Sequence, residues 1–174
     1  MKKLLILVCL CLGFNATAQK ALKKIQFGIS SGVLNVNTKT DGIFGPDITS
    51  SDNFTGFYLG PMVQLSLTKK VGLQGEVLYG NANSEGYIIV PLQAKIGILP
   101  KLSLLLGPQA NYAVDSDFGN TSALALDGVA GVALNITRKF AIQARYAIQI
   151  NERAQIEDRS VKSNTLNIGI GYNF

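Results

Sequence analysis

The chain has 174 residues and a formal charge of +5, with no histidine and two cysteines, Cys9 and Cys11, confined to its start. Nucleophile-histidine relays are excluded, and so are metal sites built on histidine or cysteine anywhere beyond that start. The positive charge is too small and too scattered to suggest nucleic acid as a partner.

Lys2 and Lys3 precede an apolar run from Leu4 to Leu12, and Ala16-Thr17-Ala18 supplies the small residues that a signal peptidase requires. Residues 1–18 are expected to be a secretory signal peptide, and residues 19–174 the mature domain. The apolar run falls far short of the roughly 18 residues that a spanning helix needs. Val8 before Cys9 and Leu10 before Cys11 are not the small residues of a lipidation site. Removing the leader takes away both cysteines and lowers the charge to +3. About 156 residues remain, enough for one domain.

Eight alternating segments follow in chain order. From Ile25 to Val36, one face carries Ile25, Phe27, Ile29 and Val33 and the other Gln26, Gly28, Ser30 and Gly32. From Phe54 to Leu67, Phe57, Leu59, Pro61, Val63, Leu65 and Leu67 oppose Tyr58, Gly60, Met62, Gln64 and Ser66. From Val71 to Gly80, Val71, Leu73, Val77 and Tyr79 oppose Gly72, Gln74 and Glu76. Tyr87 to Ile98 sets Ile88, Val90, Leu92, Ala94, Ile96 and Ile98 against Gln93, Lys95 and Gly97. Leu102 to Ala113, Ala123 to Ile136 and Phe140 to Asn151 repeat the pattern, with Asp127 and Arg145 on the less apolar face. The eighth segment, Ser163 to Phe174, alternates Leu166, Ile168, Ile170, Tyr172 and Phe174 with Thr165, Asn167, Gly169, Gly171 and Asn173. Each segment is long enough to cross a bilayer as a tilted strand, which takes about 9 to 11 residues. An open final edge has no cover in lipid unless it pairs with the first strand. These observations predict an all-β fold, an eight-stranded antiparallel up-and-down transmembrane β-barrel.

The connections alternate in length. Thr68-Lys69-Lys70, Leu99-Pro100-Lys101 and Thr137-Arg138-Lys139 are tight turns, whereas Asn37 to Asn53, Asn81 to Gly86, Val114 to Ser122 and Glu152 to Lys162 are longer and polar. Short turns face the periplasm in outer-membrane barrels and an even strand count brings both termini there, so both are expected to be periplasmic. Leu59-Gly60-Pro61 recurs as Leu106-Gly107-Pro108, and with Pro91 these prolines interrupt the ladder. A bulge or bend near the rim is the expected accommodation.

A soluble barrel would carry many lysines and glutamates on its outer face. Here the Leu, Ile and Val face carries no charge in any segment, as a lipid-facing band requires, while the other face is rich in Gly, Ser, Asn and Gln. The strand-borne charges Glu76, Lys95, Asp127 and Arg145 therefore fall inside, two of each sign. The interior of an eight-stranded barrel is just wide enough for side chains to fill it, so these groups are expected to form a lumen charge network. The alternative is a proton or ligand site. Asp115 and Asp117 could bind a cation but are read as solvated loop residues. The sequons at Asn53, Asn120 and Asn135 are read as chance matches.

Leu73 to Tyr79 (LQGEVLY), Val90-Pro91-Leu92, Gly107-Pro108, Asp127-Gly128, Arg145-Tyr146 and Gly171-Tyr172-Asn173-Phe174, in this order and spacing, resemble the PorT-like outer-membrane β-barrel family of Bacteroidota. The resemblance covers nearly the whole mature chain. It implies insertion by the barrel-assembly machinery, with Tyr172 and Phe174 in the terminal insertion signal, and outer-membrane lipid as the surroundings. It implies no shared activity. Outer-membrane barrels that act as phospholipases, acyltransferases or proteases resemble one another in needing a catalytic histidine, which this chain lacks. The expectation is a non-enzymatic structural or interaction barrel with a filled lumen, without cofactor, metal or nucleic acid. The alternative is a narrow porin-like barrel that passes or binds small solutes.

Overall fold

The computed structural model describes residues 24–41, 49–83, 85–114, 124–151, 155–156 and 159–174. The expected leader, Asp115, Asp117 and Asn120 lie outside the described residues. The strands are β1 (Lys24–Asp41), β2 (Thr49–Ser66), β3 (Val71–Glu76), β4 (Leu78–Ala82), β5 (Glu85–Gly97), β6 (Leu102–Ala113), β7 (Leu124–Asn135), β8 (Phe140–Gln149), β9 (Gln155–Ile156) and β10 (Arg159–Asn173). All pairings are antiparallel. β3 and β4 succeed one another between β2 and β5 as a single stave, and β9 pairs only with β10. β1 pairs with both β2 and β10, so the eight staves close into a barrel, as the alternation predicts.

The staves are staggered. Partners followed once round the wall from Ile25 pass through Leu65, Leu73, Ala94, Leu106, Ala130, Tyr146 and Leu166. The path returns to β1 at Asn35, ten residues further along. Such a stagger tilts every strand against the barrel axis and, with the strand number, sets the width of the interior. The large apolar side chains of the alternating face, from Phe27 and Leu59 to Ile148 and Ile170, are exposed on the outside of the wall.

Two tight turns share one device. The Thr68 hydroxyl accepts the backbone N–H of Lys70 (3.2 Å) and Val71 (2.9 Å), and the Thr137 hydroxyl accepts those of Lys139 (3.1 Å) and Phe140 (3.0 Å). A threonine that opens a turn stands in for missing backbone bonds. At this end of the wall, Phe174 N–H donates to Phe27 O (2.9 Å) and Asn173 N–H to Lys139 O (2.8 Å), which ties the closing strand to both neighbours.

The structure departs from the sequence pattern in three places. The third segment is divided at Val77 because proline stands on both flanking staves. Val77 N–H donates to Pro61 O (3.1 Å), but Pro61 has no N–H to return the bond, and Pro91 leaves a similar gap on the other side. The prolines cause no bulge. Met62 pairs with Glu76 and Leu59 with Tyr79, and Pro91 pairs with Gln109 and Ala94 with Leu106, so register is unbroken across each gap. The third departure lies in the loops. β1 continues to Asp41 and β2 begins at Thr49, β10 begins at Arg159, and β4 and β5 reach Ala82 and Glu85 with Asn83 at φ 53° between them. Much of what reads as polar loop is strand that has left the lipid.

Toward that end the inner face changes character. Leu34, Tyr58, Leu78, Ala82 and Ile89 form an interior apolar cluster with Val36, Phe54 and Tyr87 against it. The outer face carries Asn35 bonded to Thr55 (3.0 Å) and Asn37 bonded to Asn53 (2.7 Å). A polar outer pair suits strands in water, so the outer face changes from apolar to polar between Val33 and Asn37.

Each Gly-Pro pair places its glycine hard against the next stave. A Cβ on Gly60 would stand 2.0 Å from Val77 O, and one on Gly107 2.0 Å from Leu92 O. Gly60→Ala and Gly107→Ala should each lose about 1 to 3 kcal/mol through overpacking. Gly75→Ala, whose new methyl meets only side-chain atoms at 3.6 Å and beyond, should stay near wild type. Urea unfolding in phospholipid vesicles measures all three, and equal stability across them would contradict the close-approach reading.

Candidate functional site in the barrel lumen

Strand parity sends a polar set inward, and closure packs it. Gln74, Gln93, Gln109, Gln143, Arg145 and Asn167 are all fully buried. An amide buried without a partner is costly, and Gln74, Gln109, Gln143 and Arg145 bond lumen neighbours, whereas the side chains of Gln93 and Asn167 make no hydrogen bond among the described residues.

Arg145 Nη1 donates to Glu76 Oε2 at 2.8 Å, and both side chains are completely shielded from solvent. β3 and β8 lie on opposite sides of the eight-stave ring, so this ion pair spans the barrel across its diameter. The guanidinium also lies 5.6 Å from the centroid of the Tyr58 ring, within cation-π range. Gln74 runs beside the pair, donating to Glu76 Oε1 and to Gln143 Oε1 (3.0 Å). Gln74 Oε1 accepts from Gln64 (3.0 Å), and Gln64 Oε1 in turn meets Lys95 Nζ at 3.4 Å. Three of the four sequence-predicted charges, Glu76, Arg145 and Lys95, thus share one hydrogen-bonded chain, with Lys95 joined to Glu76 only through two glutamines.

Asp127 belongs to a second cluster. Gln109 donates to its carboxylate at 3.2 Å and Asn111 donates to the same oxygen. Gln64, Gln74 and Tyr58 lie on the less apolar face in the sequence pattern, and Gln143 shares that face with Arg145. Their signal was the run of long amides on the charge-bearing face.

The two ends of the lumen differ. A cavity of about 870 Å³ opens among the short turns beneath Gln64, Lys95 and Asn135. Toward the long-loop end, the space beside Leu34, Asp127 and Gln149 is only about 20 Å³, room for about one water. Between them the side chains of Arg145, Gln74, Gln93 and Gln143 fill the cross-section. Among the described residues no group of histidine, cysteine, aspartate and glutamate could hold a metal ion.

On the outer face at the short-turn end, the expected insertion-signal residues are in contact. The Tyr172 ring packs 4.7 Å from Phe140 and 5.7 Å from Phe174, and Lys139 Nζ lies 5.7 Å from the Tyr172 ring. An aromatic group flanked by a cation suits the boundary between hydrocarbon and headgroups.

A closed wall that is apolar outside and packed with polar side chains inside defines a transmembrane β-barrel. The family described as outer membrane protein beta-barrel domain matches residues 6–174, and the chain belongs to it. The protein is accordingly an outer-membrane barrel. It is similar to Ail, the attachment invasion locus protein of Yersinia pestis, solved in complex with the heparin analogue sucrose octasulfate, at 23% identity over 87% of this chain and 99% of that one, with a TM-score of 0.54. A second Ail structure is 25% identical over 86% of this chain and 98% of that one, with the same TM-score of 0.54. A chain from the de novo design of transmembrane beta-barrels is 16% identical over 91% of this chain and all of its own, with a TM-score of 0.51. No curated protein matches the chain. What the solved structures share with it is the fold.

Removing one member of the diametric pair leaves its partner charged and buried. Arg145→Ala should cost about 3 to 5 kcal/mol, and adding Glu76→Ala should restore part of that loss. Urea unfolding checks both, and a single-mutant loss below about 1 kcal/mol, the scale of an exposed pair, would reject a structural role. Gln93 is the contrasting case. Its amide is buried and makes no hydrogen bond among the described residues. Gln93→Leu should therefore be neutral or stabilising by about 1 kcal/mol in the same assay.

Proposed function

We propose that this outer-membrane barrel is non-enzymatic and acts as a structural or interaction element through its surfaces, with a lumen that does not conduct. The observation that carries this reading is the filled mid-section. Arg145 and Glu76, both fully shielded, bridge opposite walls at the height where a solute would have to pass. Glu76, Lys95, Asp127 and Arg145 act on this reading as a network that fixes the packing of the lumen, rather than as a proton or solute path. The sheet that β1, β2 and β10 carry beyond the apolar band is the surface offered to partners.

Several finer statements belong to the same proposal. The resemblance of the motifs from Leu73 to Phe174 supports membership of the PorT-like family of Bacteroidota. Residues 1–18 act as a cleaved signal peptide, both chain ends face the periplasm, and the barrel-assembly machinery reads the Tyr172 and Phe174 end. The chain lacks a histidine for the relays that hydrolytic barrels use, and it works without cofactor or nucleic acid.

The mature protein should fractionate with outer membranes and resist carbonate extraction, because its outer face is apolar throughout the lipid band. Recovery in the soluble periplasm would refute this. Purified barrel in planar bilayers should give no stepwise current, whereas single-channel steps altered by Lys95→Gln would favour the narrow-transport reading. Deleting Phe174 should lower the yield of heat-modifiable folded barrel more than deleting Asn83, and equal yields would contradict the signal role.

A further inference from the structure

The 870 Å³ cavity among the short turns has the volume of a small-ligand site. Among the described residues, five cationic side chains line it, Lys69, Lys70, Lys95, Lys101 and Arg138, and no Asp or Glu does. The asymmetry extends through the chain. Residues 53–75, 86–114 and 128–151, which build the three short turns and most of their flanking strands, contain no Asp or Glu. Like charges gathered at one mouth with low-dielectric walls focus a positive potential into it.

Lys95 separates this cavity from an ordinary basic rim. It is borne on β5, half-buried, and points inside the wall rather than out from a turn. Its ammonium meets the amide oxygens of Gln64 at 3.4 Å and Asn135 at 3.5 Å, both at the long limit for a hydrogen bond. The nearest interior acid on its hydrogen-bonded chain, Glu76, is already engaged by Arg145. A partly desolvated ammonium that makes no ion pair among the described residues gains more than a solvated one when an anion arrives. Gln26, Ser103 and Asn173 add neutral polar groups on the cavity wall that can bond further oxygens.

We propose that the short-turn mouth binds a small, soluble, multiply charged phosphate anion, with Lys95 as the inner contact and Lys69, Lys101 and Arg138 closing round it from the turns. Pyrophosphate is the simplest probe of this chemistry. The site does not depend on which side of the membrane the mouth faces, so its test is independent of the orientation proposed above.

Full-length mature barrel in zwitterionic phosphatidylcholine nanodiscs, titrated with pyrophosphate by calorimetry at low salt, should show saturable one-to-one binding that weakens as salt is added. Lys95→Gln should weaken it about tenfold, the scale of one charge-assisted hydrogen bond. Lys162→Gln, at the far end of β10, should leave it unchanged. Folding of each variant is checked by heat-modifiable mobility. Lys101→Glu at the exposed rim serves as the second variant should Lys95→Gln fail to fold, and it too should weaken binding. Absence of saturable binding would overturn the proposal, as would equal affinity in folded Lys95→Gln. A second arm adds phosphatidylglycerol. Displacement of pyrophosphate by this lipid to the same extent in wild type and Lys95→Gln would assign the cations to lipid headgroups and overturn the soluble-anion site.

Discussion

The structure depends on one requirement, that no backbone N–H or C=O inside the lipid is left without a partner. The pairing of β1 with β10, from Gly28 opposite Asn173 to Thr40 opposite Val161, meets it by leaving the sheet no edge within the bilayer. Closure then fixes much else. Eight staves with a ten-residue stagger enclose a space that side chains can fill, and the polar groups that face it find their partners there or, like Gln93, go without. The interior glutamines, the ion pair and the aspartate cluster are answers to a boundary condition set by the wall.

Polarity is consequently sorted twice along each long strand. Through the lipid band the outer face is apolar and the inner face bonds to itself. Around Leu34 and Tyr58 the inner face turns apolar while the outer face is still apolar, and further along the same strands, at Asn35 and Asn37, the outer face becomes polar. Parity never slips, because register is continuous from one regime to the other. The environment changes while the backbone stays the same, and the amino-acid types at successive inward positions record the change. At the opposite mouth, the wall opens into a chamber lined by cations, which gives the lumen a charge gradient along its axis.

The inward placement of Glu76, Lys95, Asp127 and Arg145 was legible because the period of a strand is local and each residue's face follows from its neighbours. The eight staves and their closure were legible for the same reason, repeated. Which charges meet was not legible. Glu76 reaches Arg145 across the barrel because of the accumulated stagger of several pairings, a collective quantity that no single segment states. The continuation of β1 and β2 past the membrane escaped because alternation was sought with apolar residues outside, whereas Leu34-Asn35-Val36-Asn37 carries it in antiphase. The division at Val77 needed two prolines on different strands to be seen side by side, which only the register supplies.

Pro61, Pro91 and Pro108 fall on three staves of the same half of the ring, so the wall there lacks the backbone donors those positions would otherwise supply. A thin cylinder squeezed from the side ovalises first where its shell is softest. Glu76 sits one residue from the interruption at Val77, and its ion pair anchors that soft panel to β8 on the far side. In mechanical terms the pair is a tie rod, set across the bore at the height where the shell is weakest. Lateral pressure from the surrounding lipid is then borne through the middle of the molecule as well as round its circumference.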